Sequence, residues 1–388
     1  MNRSDILLTS LGGGGNKLAD TIMNMDTRYQ GLFINTSITD LQSLDNCDAN
    51  IKNYMCISTQ NGVGRDRALG KSYAENYVMT IIEKIMNYVQ QDVVYLISSL
   101  GGGSGSSILS VLLEKLSELK EEGSFDKIIN LICIIPDLKS ATVILDNSLN
   151  TWSEVLRQNK CINSMIFIDN SVEIEGKTET EEKEIAINER FAELFDSIFD
   201  IPDNNGRNFD TGNLGNILKD RGCLYIYELP SGYNSMTEAF RYGEKNSVLA
   251  KVFKNEKNIF VNENGKSLLQ CGYVGVSLAD ENYDKSMIRD NYMLRKEFYG
   301  GISDEKNLVL ISGCLPPSDT MQIIKLELDE RAKDNQFDDN SMFFTDFTSS
   351  MKPTTATTTN SNVGKNTNTS TSTNKTLKKV MKKSLFKK

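Results

Sequence analysis

The sequence predicts an α/β fold: a mostly parallel sheet with helices on both faces, joined by a central helix to a smaller α+β part, then a C-terminal tail of different composition. Three observations carry this. Apolar strand-like runs alternate with helical periodicity over residues 1–185. Three strand ends open into glycine-rich turns that run into helices. From Thr348 to Thr376, 21 of 29 residues are Thr, Ser or Asn, which leaves too little apolar surface to offset chain entropy, so this stretch reads as a flexible linker.

The first strand is expected at 5–10, leading into Gly12-Gly13-Gly14-Gly15-Asn16, with helical periodicity from Leu18. Strands follow at 31–35 and 54–58, and Gln60-Asn61-Gly62-Val63-Gly64 precedes a helix-like run from Ala68 to Val89. The strand at 93–98 enters the most informative stretch, Ser98-Ser99-Leu100-Gly101-Gly102-Gly103-Ser104-Gly105-Ser106-Ser107, and an amphipathic run begins at Ile108. Strands at 129–135 and 164–168 complete this half. Glycines let backbone N–H groups face an anion without a Cβ in the way, and a helix start adds partial positive charge. The Ser104 and Ser106 hydroxyls supply further donors, and three such turns fit one nucleotide held by its phosphates from several sides.

Ile187, Phe191, Leu194, Phe195 and Ile198 then mark a helix buried over much of its circumference, closed by the turn-rich Ile201–Gly206. Beyond it, helices are expected at 211–220, 234–253 and 281–289, and strands near 222–228, 269–276, 293–299 and 307–313. A charged helix is expected at 318–333.

Composition excludes several chemistries. There is no histidine, which removes Ser-His and Cys-His nucleophile systems and His-ligated zinc. Seven scattered cysteines without a C-x-x-C pair read as reduced, mostly buried thiols, with Cys133 in the core. No metal-ligand set is assigned to the chain. No apolar run reaches 18 residues and the start lacks a signal-peptide core, so no membrane span and a cytoplasmic location are expected. Net charge is −9, yet residues 365–388 hold eight lysines and no acid. There Leu377, Met381 and Leu385 are spaced four apart, a pattern that can fold as an amphipathic helix against an acidic partner.

Two look-alike motifs fail on spacing. Gly12–Gly15 lacks the third glycine of a dinucleotide fingerprint, and Asn35 stands where its ribose-binding acid belongs. Gly70-Lys71-Ser72 ends like a Walker A loop, but Arg65 occupies the required glycine, so Lys71 is expected to be a solvated helix residue.

Gly101–Ser107 resembles the G-G-G-[TS]-G-[TS]-[GS] signature of the tubulin/FtsZ superfamily of polymerising GTPases, and the similarity runs from about residue 5 to about residue 330. The resemblance implies GTP and GDP as ligands, with Mg2+ on the phosphates. It implies phosphate contacts from Gly12, Gly13, Gly14, Gly15 and Asn16, and from Gly101, Gly102, Gly103, Ser104, Gly105 and Ser106. Asn35 matches the loop after the second strand, Gly62 and Gly64 the γ-phosphate sensor, and Asn170 and Asn188 the guanine contacts.

The family's N-x-D-x-x-D/E loop, which acts on the nucleotide of the next subunit, is similar to Asn208–Asn213. Asp210 is kept, while Asn213 replaces the second acid. Ser140 stands where the family often places a ribose-binding acid. The implied division is a GTP-binding domain at 1–185, a central helix and turn at 186–204, an activation domain at 205–316, a helix at 317–336, and the linker and tail at 337–388.

Within the superfamily the lysine-rich tail resembles the TubZ branch, the partition tubulins of plasmids and phages. That implies filaments of the chain itself, and a tail that binds a DNA-binding adaptor of TubR type, so that nucleic acid is held indirectly. A division-type FtsZ filament and a non-polymerising nucleotide-binding regulator remain as alternatives.

Overall fold

A computed structural model describes residues 1–338 apart from 59–60, 203–207, 234, 281–282 and 304–305. The first half alternates strand and helix as β1 (Ile6–Leu11), α1 (Gly12–Met23), β2 (Gln30–Asn35), α2 (Ile38–Gln42), β3 (Tyr54–Cys56) and α3 (Arg67–Met86). It continues with β4 (Val93–Ser99), α4 (Ser104–Glu121), β5 (Ile128–Ile135), α5 (Thr142–Arg157), β6 (Ile162–Asp169) and α6 (Thr180–Ser197). β1 is buried at every position, and β4 and β5 at all but one end residue, as unbroken apolar runs covered on both faces should be.

α6 is the buried helix foreseen around Phe191. Its Phe195 meets Tyr95 of β4 edge-on at 5.3 Å and packs against Phe191 at 5.7 Å. It begins earlier than expected, with Glu181 and Glu182 in a first turn where the helix dipole favours acids.

The second half contributes α7 (Thr211–Leu218), β7 (Gly222–Leu229), α8 (Met236–Asn246), β8 (Ile259–Val261), β9 (Ser267–Cys271) and β10 (Val274–Leu278). α9 (Lys285–Arg289), β11 (Tyr292–Leu294), β12 (Phe298–Ile302), β13 (Asn307–Cys314) and α10 (Ser318–Asp338) follow. One ten-stranded sheet runs β12-β10-β13-β7-β6-β5-β4-β1-β2-β3, and a three-stranded sheet runs β11-β9-β8. β3, β2, β1, β4, β5 and β6 are parallel.

The two halves of the large sheet meet at a narrow seam. β6 and β7 pair in parallel at Ser164–Gly222 and Met165–Cys223 only. Farther along β6 a different segment takes over: Asp169 N donates to Val248 O at 2.9 Å, and Ala250 N to Phe167 O at 2.8 Å.

Further boundaries differ from the sequence reading: the helix expected at 234–253 ends at Asn246. α1 starts at Gly12 rather than near Leu18, because glycines carry no side-chain periodicity even when packing holds them helical. The strands expected at 269–276 and 293–299 are each two strands, passing from the small sheet to the large one. Gly272 breaks the first pair; a side chain there would collide with the Asp220 carboxylate, which also accepts from Ser312 Oγ at 2.7 Å.

All seven cysteines are free and five are buried, and burial pushes the Cys133 thiol up to about 12. No described helix is long and apolar enough to cross a membrane. Met1–Asp334 form one unit and Asn335–Lys388 another. The polar linker, the lysines of 365–388 and the Leu377–Met381–Leu385 stripe lie outside the described residues.

Candidate functional site

Two of the three glycine-rich turns meet at the C-terminal ends of neighbouring strands β1 and β4, and they touch. Gly12 has φ +71°, a left-handed conformation that suits glycine, and a Cβ on it would lie 2.7 Å from Gly105 Cα. A Cβ on Gly105 would fall on the Leu11 carbonyl oxygen, and one on Gly103 would lie 2.5 Å from Arg65 Cα. So Gly12, Gly103 and Gly105 are glycine because backbones pass through the space a side chain needs. Gly15 and Gly101 are packed likewise, against Ile97 and Ile144.

Gly62, Gly64 and Gly102 differ: a Cβ on any of them would meet nothing within 4 Å. They face a cavity of about 450 Å³, which Leu11–Gly14, Asn35, Ser37, Asp40, Gly62–Arg65, Ser99 and Gly102–Gly105 line. Helices α1 and α4 both start on it, so their unpaired N–H groups and dipoles converge on one space. That is the chemistry of a polyphosphate site. Two larger cavities, about 640 and 630 Å³, have no glycine-rich turn in their walls.

The structure therefore brings Gly12, Gly13, Gly14, Asn35, Gly62, Gly64, Gly102, Gly103, Ser104 and Gly105 to one cavity. Asn35 is buried, its Oδ1 accepting from Thr36 N at 2.8 Å and its Nδ2 donating to Asp40 at 3.3 Å. Ser104 Oγ shares a 2.6 Å hydrogen bond with Thr36 Oγ1. Gly15, Asn16, Gly101, Ser106, Asn170 and Asn188 are not in the cavity wall. Asn16 and Asn170 are buried with amide Oδ1 atoms that no hydrogen-bond donor among the described residues satisfies. An unmet buried acceptor is costly unless a ligand supplies the donor. Asn188 is half-buried on α6.

Ser106 corrects an expectation. Its hydroxyl is buried, donates to Gly102 O and accepts from Arg67 Nε at 3.0 Å, so it fastens the turn instead of facing an anion. Lys71 is corrected too. It is not a solvated helix residue; its Nζ lies 2.6 Å from Glu154 Oε1. Glu154 of α5 also receives Arg67 and Ser110, so one carboxylate ties α3, α4 and α5 behind the Gly101–Gly105 turn.

Burial pushes the Glu154 carboxyl up, but the bonds from Lys71, Ser110 and Arg67 outweigh it and hold the group at about 2. A folded value below the unfolded one means that the network's contribution is complete above about pH 4.5 and is lost as pH falls toward about 2. Glu154→Gln should cost roughly 3 kcal/mol at neutral pH by leaving Arg67 and Lys71 without a counter-charge. It should also remove that share of the acid-induced loss, as urea unfolding at pH 7 and pH 3 would reveal.

Asp210 and Asn213 lie at the other edge of the sheet. Asp210 is the N-cap of α7, its Oδ1 accepting from Asn213 N at 2.7 Å while Asn213 Oδ1 accepts from Asp210 N at 2.9 Å. The residue in place of a second acid thus completes a capping box. α7 leads into the start of β7, which pairs with the start of β6. Met1 N, five residues before β1, donates to Thr211 O at 2.7 Å. Asp210 is therefore beside the N-terminal ends of strands whose C-terminal ends hold the cavity, and β1 alone spans about 20 Å. Asp210 is exposed and cannot reach the cavity of its own chain.

Residues 5–174 match the Tubulin/FtsZ family, GTPase domain. The tubulin-like protein TubZ of Clostridium botulinum C phage is 24% identical over 339 residues, 85% of each chain. The solved structure of phage c-st TubZ with its C-terminal tail truncated superposes with a TM-score of 0.72 at 23% identity, covering 86% of this chain and 99% of that one. The tubulin-like protein CetZ of Pyrococcus furiosus is 26% identical over 272 residues, 68% of this chain and 69% of the relative. A GTPγS-form protofilament of TubZ from Bacillus thuringiensis serovar israelensis superposes with a TM-score of 0.65 at 16% identity, covering 87% of this chain and 94% of that one. The two converging glycine turns at residues 12–15 and 101–106 both fall within the segment that matches the GTPase domain of the Tubulin/FtsZ family.

Proposed function

We propose that the protein assembles head to tail into filaments and hydrolyses GTP at the junction between subunits. One observation carries this reading: the polyphosphate cavity and Asp210 are at opposite edges of the same parallel strands. A single subunit separates the two halves of a hydrolytic site; stacking a second subunit on the first would unite them.

In that junction the turns at Gly12–Gly14 and Gly102–Gly105 hold the phosphates through N–H groups, with Gly62 and Gly64 at the γ-phosphate. Asn16, Asn170 and Asn188 offer amides to the base, and the unmet oxygens of the first two suit the N–H edge of guanine. Asp210 of the neighbour orients water or takes its proton, and Asn213 keeps Asp210 in place. Asp40 is the one carboxylate among the residues of the cavity wall. It would offer one carboxylate to an Mg2+ bound with the nucleotide, and such an ion would neutralise phosphate charge.

The lysines of 365–388 supply a salt-sensitive attraction to an acidic surface, and the Leu377–Met381–Leu385 stripe a short-range anchor. This favours cargo attachment through a DNA-bound adaptor of TubR type, and so the positioning of plasmid or phage DNA. A filament of other duty is the second reading, favoured by the likeness to CetZ.

Pelleting with GTP, ATP or no nucleotide tests assembly, and GTP alone should give a pellet that dissolves as phosphate is released. Equal pellets in all three overturn the nucleotide-coupled filament. Deleting 365–388 should spare pelleting and abolish co-sedimentation of adaptor–DNA complex; unchanged recruitment favours the second reading.

A further inference from the structure

Arg3 is buried just ahead of β1 and is held by three carboxylates from two parts of the chain. Its Nε and Nη2 grip Asp196 at 2.6 and 2.9 Å, its Nη1 lies 2.8 Å from Asp200, and its Nε is 3.6 Å from Asp26. Nη2 also donates to the Asp196 carbonyl at 2.9 Å, and Tyr29 Oη to Asp196 Oδ1 at 2.9 Å. The guanidinium covers the Phe199 ring at 5.6 Å. Burial works against its charge, but the bonds to Asp196 and Asp200 overcome this and raise its pKa.

The position of this node gives it a purpose. Asp196 and Asp200 flank the C-terminal end of α6, and the chain from there leads to Asp210. On the far side of Asp210 the Met1 nitrogen holds Thr211 O; immediately before it Phe209 is buried against Tyr299 with ring centroids 6.0 Å apart. The segment ahead of β1 thus holds the end of α6 and the residue that follows Asp210, the first through a bidentate guanidinium whose geometry a lysine cannot reproduce. Asp26 lies within the loop between α1 and β2, and α1 starts at the glycine-lined cavity, so the node also ties the Asp210 edge to the helix that begins at the opposite edge.

We propose that Arg3 is a positioning residue for Asp210: it fixes the end of α6 so that the carboxylate meets the nucleotide of the adjoining subunit. This rests on the reading of Asp210 as acting across the subunit junction.

The test uses full-length Arg3→Met and Arg3→Lys beside Asp210→Asn. Three quantities are read: affinity of unassembled subunits for a fluorescent GTP analogue, GTP turnover per assembled subunit, and hydrogen exchange of amides 208–214. In Arg3→Met, affinity should stay within about twofold while turnover falls about tenfold or more and exchange at 208–214 quickens. Arg3→Lys should recover part of the turnover.

Wild-type turnover in Arg3→Met beside an inactive Asp210→Asn overturns the inference alone. Wild-type turnover in Asp210→Asn overturns the junction reading and the inference with it. Affinity and turnover falling together would make Arg3 a merely structural residue. Asp200→Asn, at a half-exposed partner, keeps the test open should Arg3→Met not fold; it should lower turnover in the same direction without lowering affinity.

Discussion

Asp210→Asn is expected to abolish assembly-coupled GTP turnover, by about 10²-fold or more, while nucleotide affinity and fold are preserved. Asparagine caps a helix as well as aspartate, so α7 keeps its bond from the Asn213 amide. The change removes only the charge and the capacity to take a proton. Asp210→Ala should show the same loss of turnover and a further stability cost of about 1 kcal/mol, because the cap goes as well. Filaments of either variant should outlive wild-type ones, since the step that destabilises them is blocked. Asn213→Asp should keep the capping box, because a carboxylate also accepts from Asp210 N, and should speed turnover by restoring a second acid. Phosphate release and light scattering on the same samples check this, and wild-type release from Asp210→Asn would refute the assignment.

Gly102→Asp and Gly105→Ala should both end GTP binding, for opposite reasons. Gly102 has open space where its side chain would be and lines the cavity, so an aspartate fits the fold and places a negative charge among the phosphate-facing N–H groups. Binding should fall by about 10²-fold or more with little change in melting temperature. At Gly105 even a methyl group falls on the Leu11 carbonyl, so Gly105→Ala should force the two turns apart and cost about 3 kcal/mol or more. Calorimetric titration with GTP and thermal unfolding of both proteins separate the cases. Unimpaired binding by Gly102→Asp would place the triphosphate elsewhere.

What could be read ahead of the structure follows from range. The parallel strands were legible because runs such as Val93–Ile97 are apolar at every position, and β1 and β4 lead into glycine turns. The glycine turns that line the cavity were legible because close backbone approach leaves a compositional mark. The start of α1 left none, since Gly12–Gly15 carry no periodicity.

The rest depends on pairs far apart in the chain. Arg67 and Glu154 are 87 residues apart, and Arg3 and Asp196 are 193. Nothing local in either sequence neighbourhood signals the partner. Asp40, on the cavity wall, sits in the ordinary-looking Ile38–Gln42 helix, and only the fold brings it beside Gly13. Ser106 was misjudged for a related reason: residue type reports a hydroxyl, whereas its direction is set by the turn and by Arg67.

The placement of cavity and Asp210 at the two ends of the same strands has a mechanical consequence. In a head-to-tail filament each junction is reached along the strand direction, so tension enters one edge of the sheet and leaves by the other. The parallel ladders joining β2, β1, β4, β5 and β6 are then loaded in shear, and their hydrogen bonds share the force at once. The seam between β6 and β7 has two residue pairs to share it. A filament built this way resists being stretched with its broad parallel block and yields first by peeling at that seam, so pulling on a neighbour would shift the half that carries Asp210 before it disturbed the phosphate cradle.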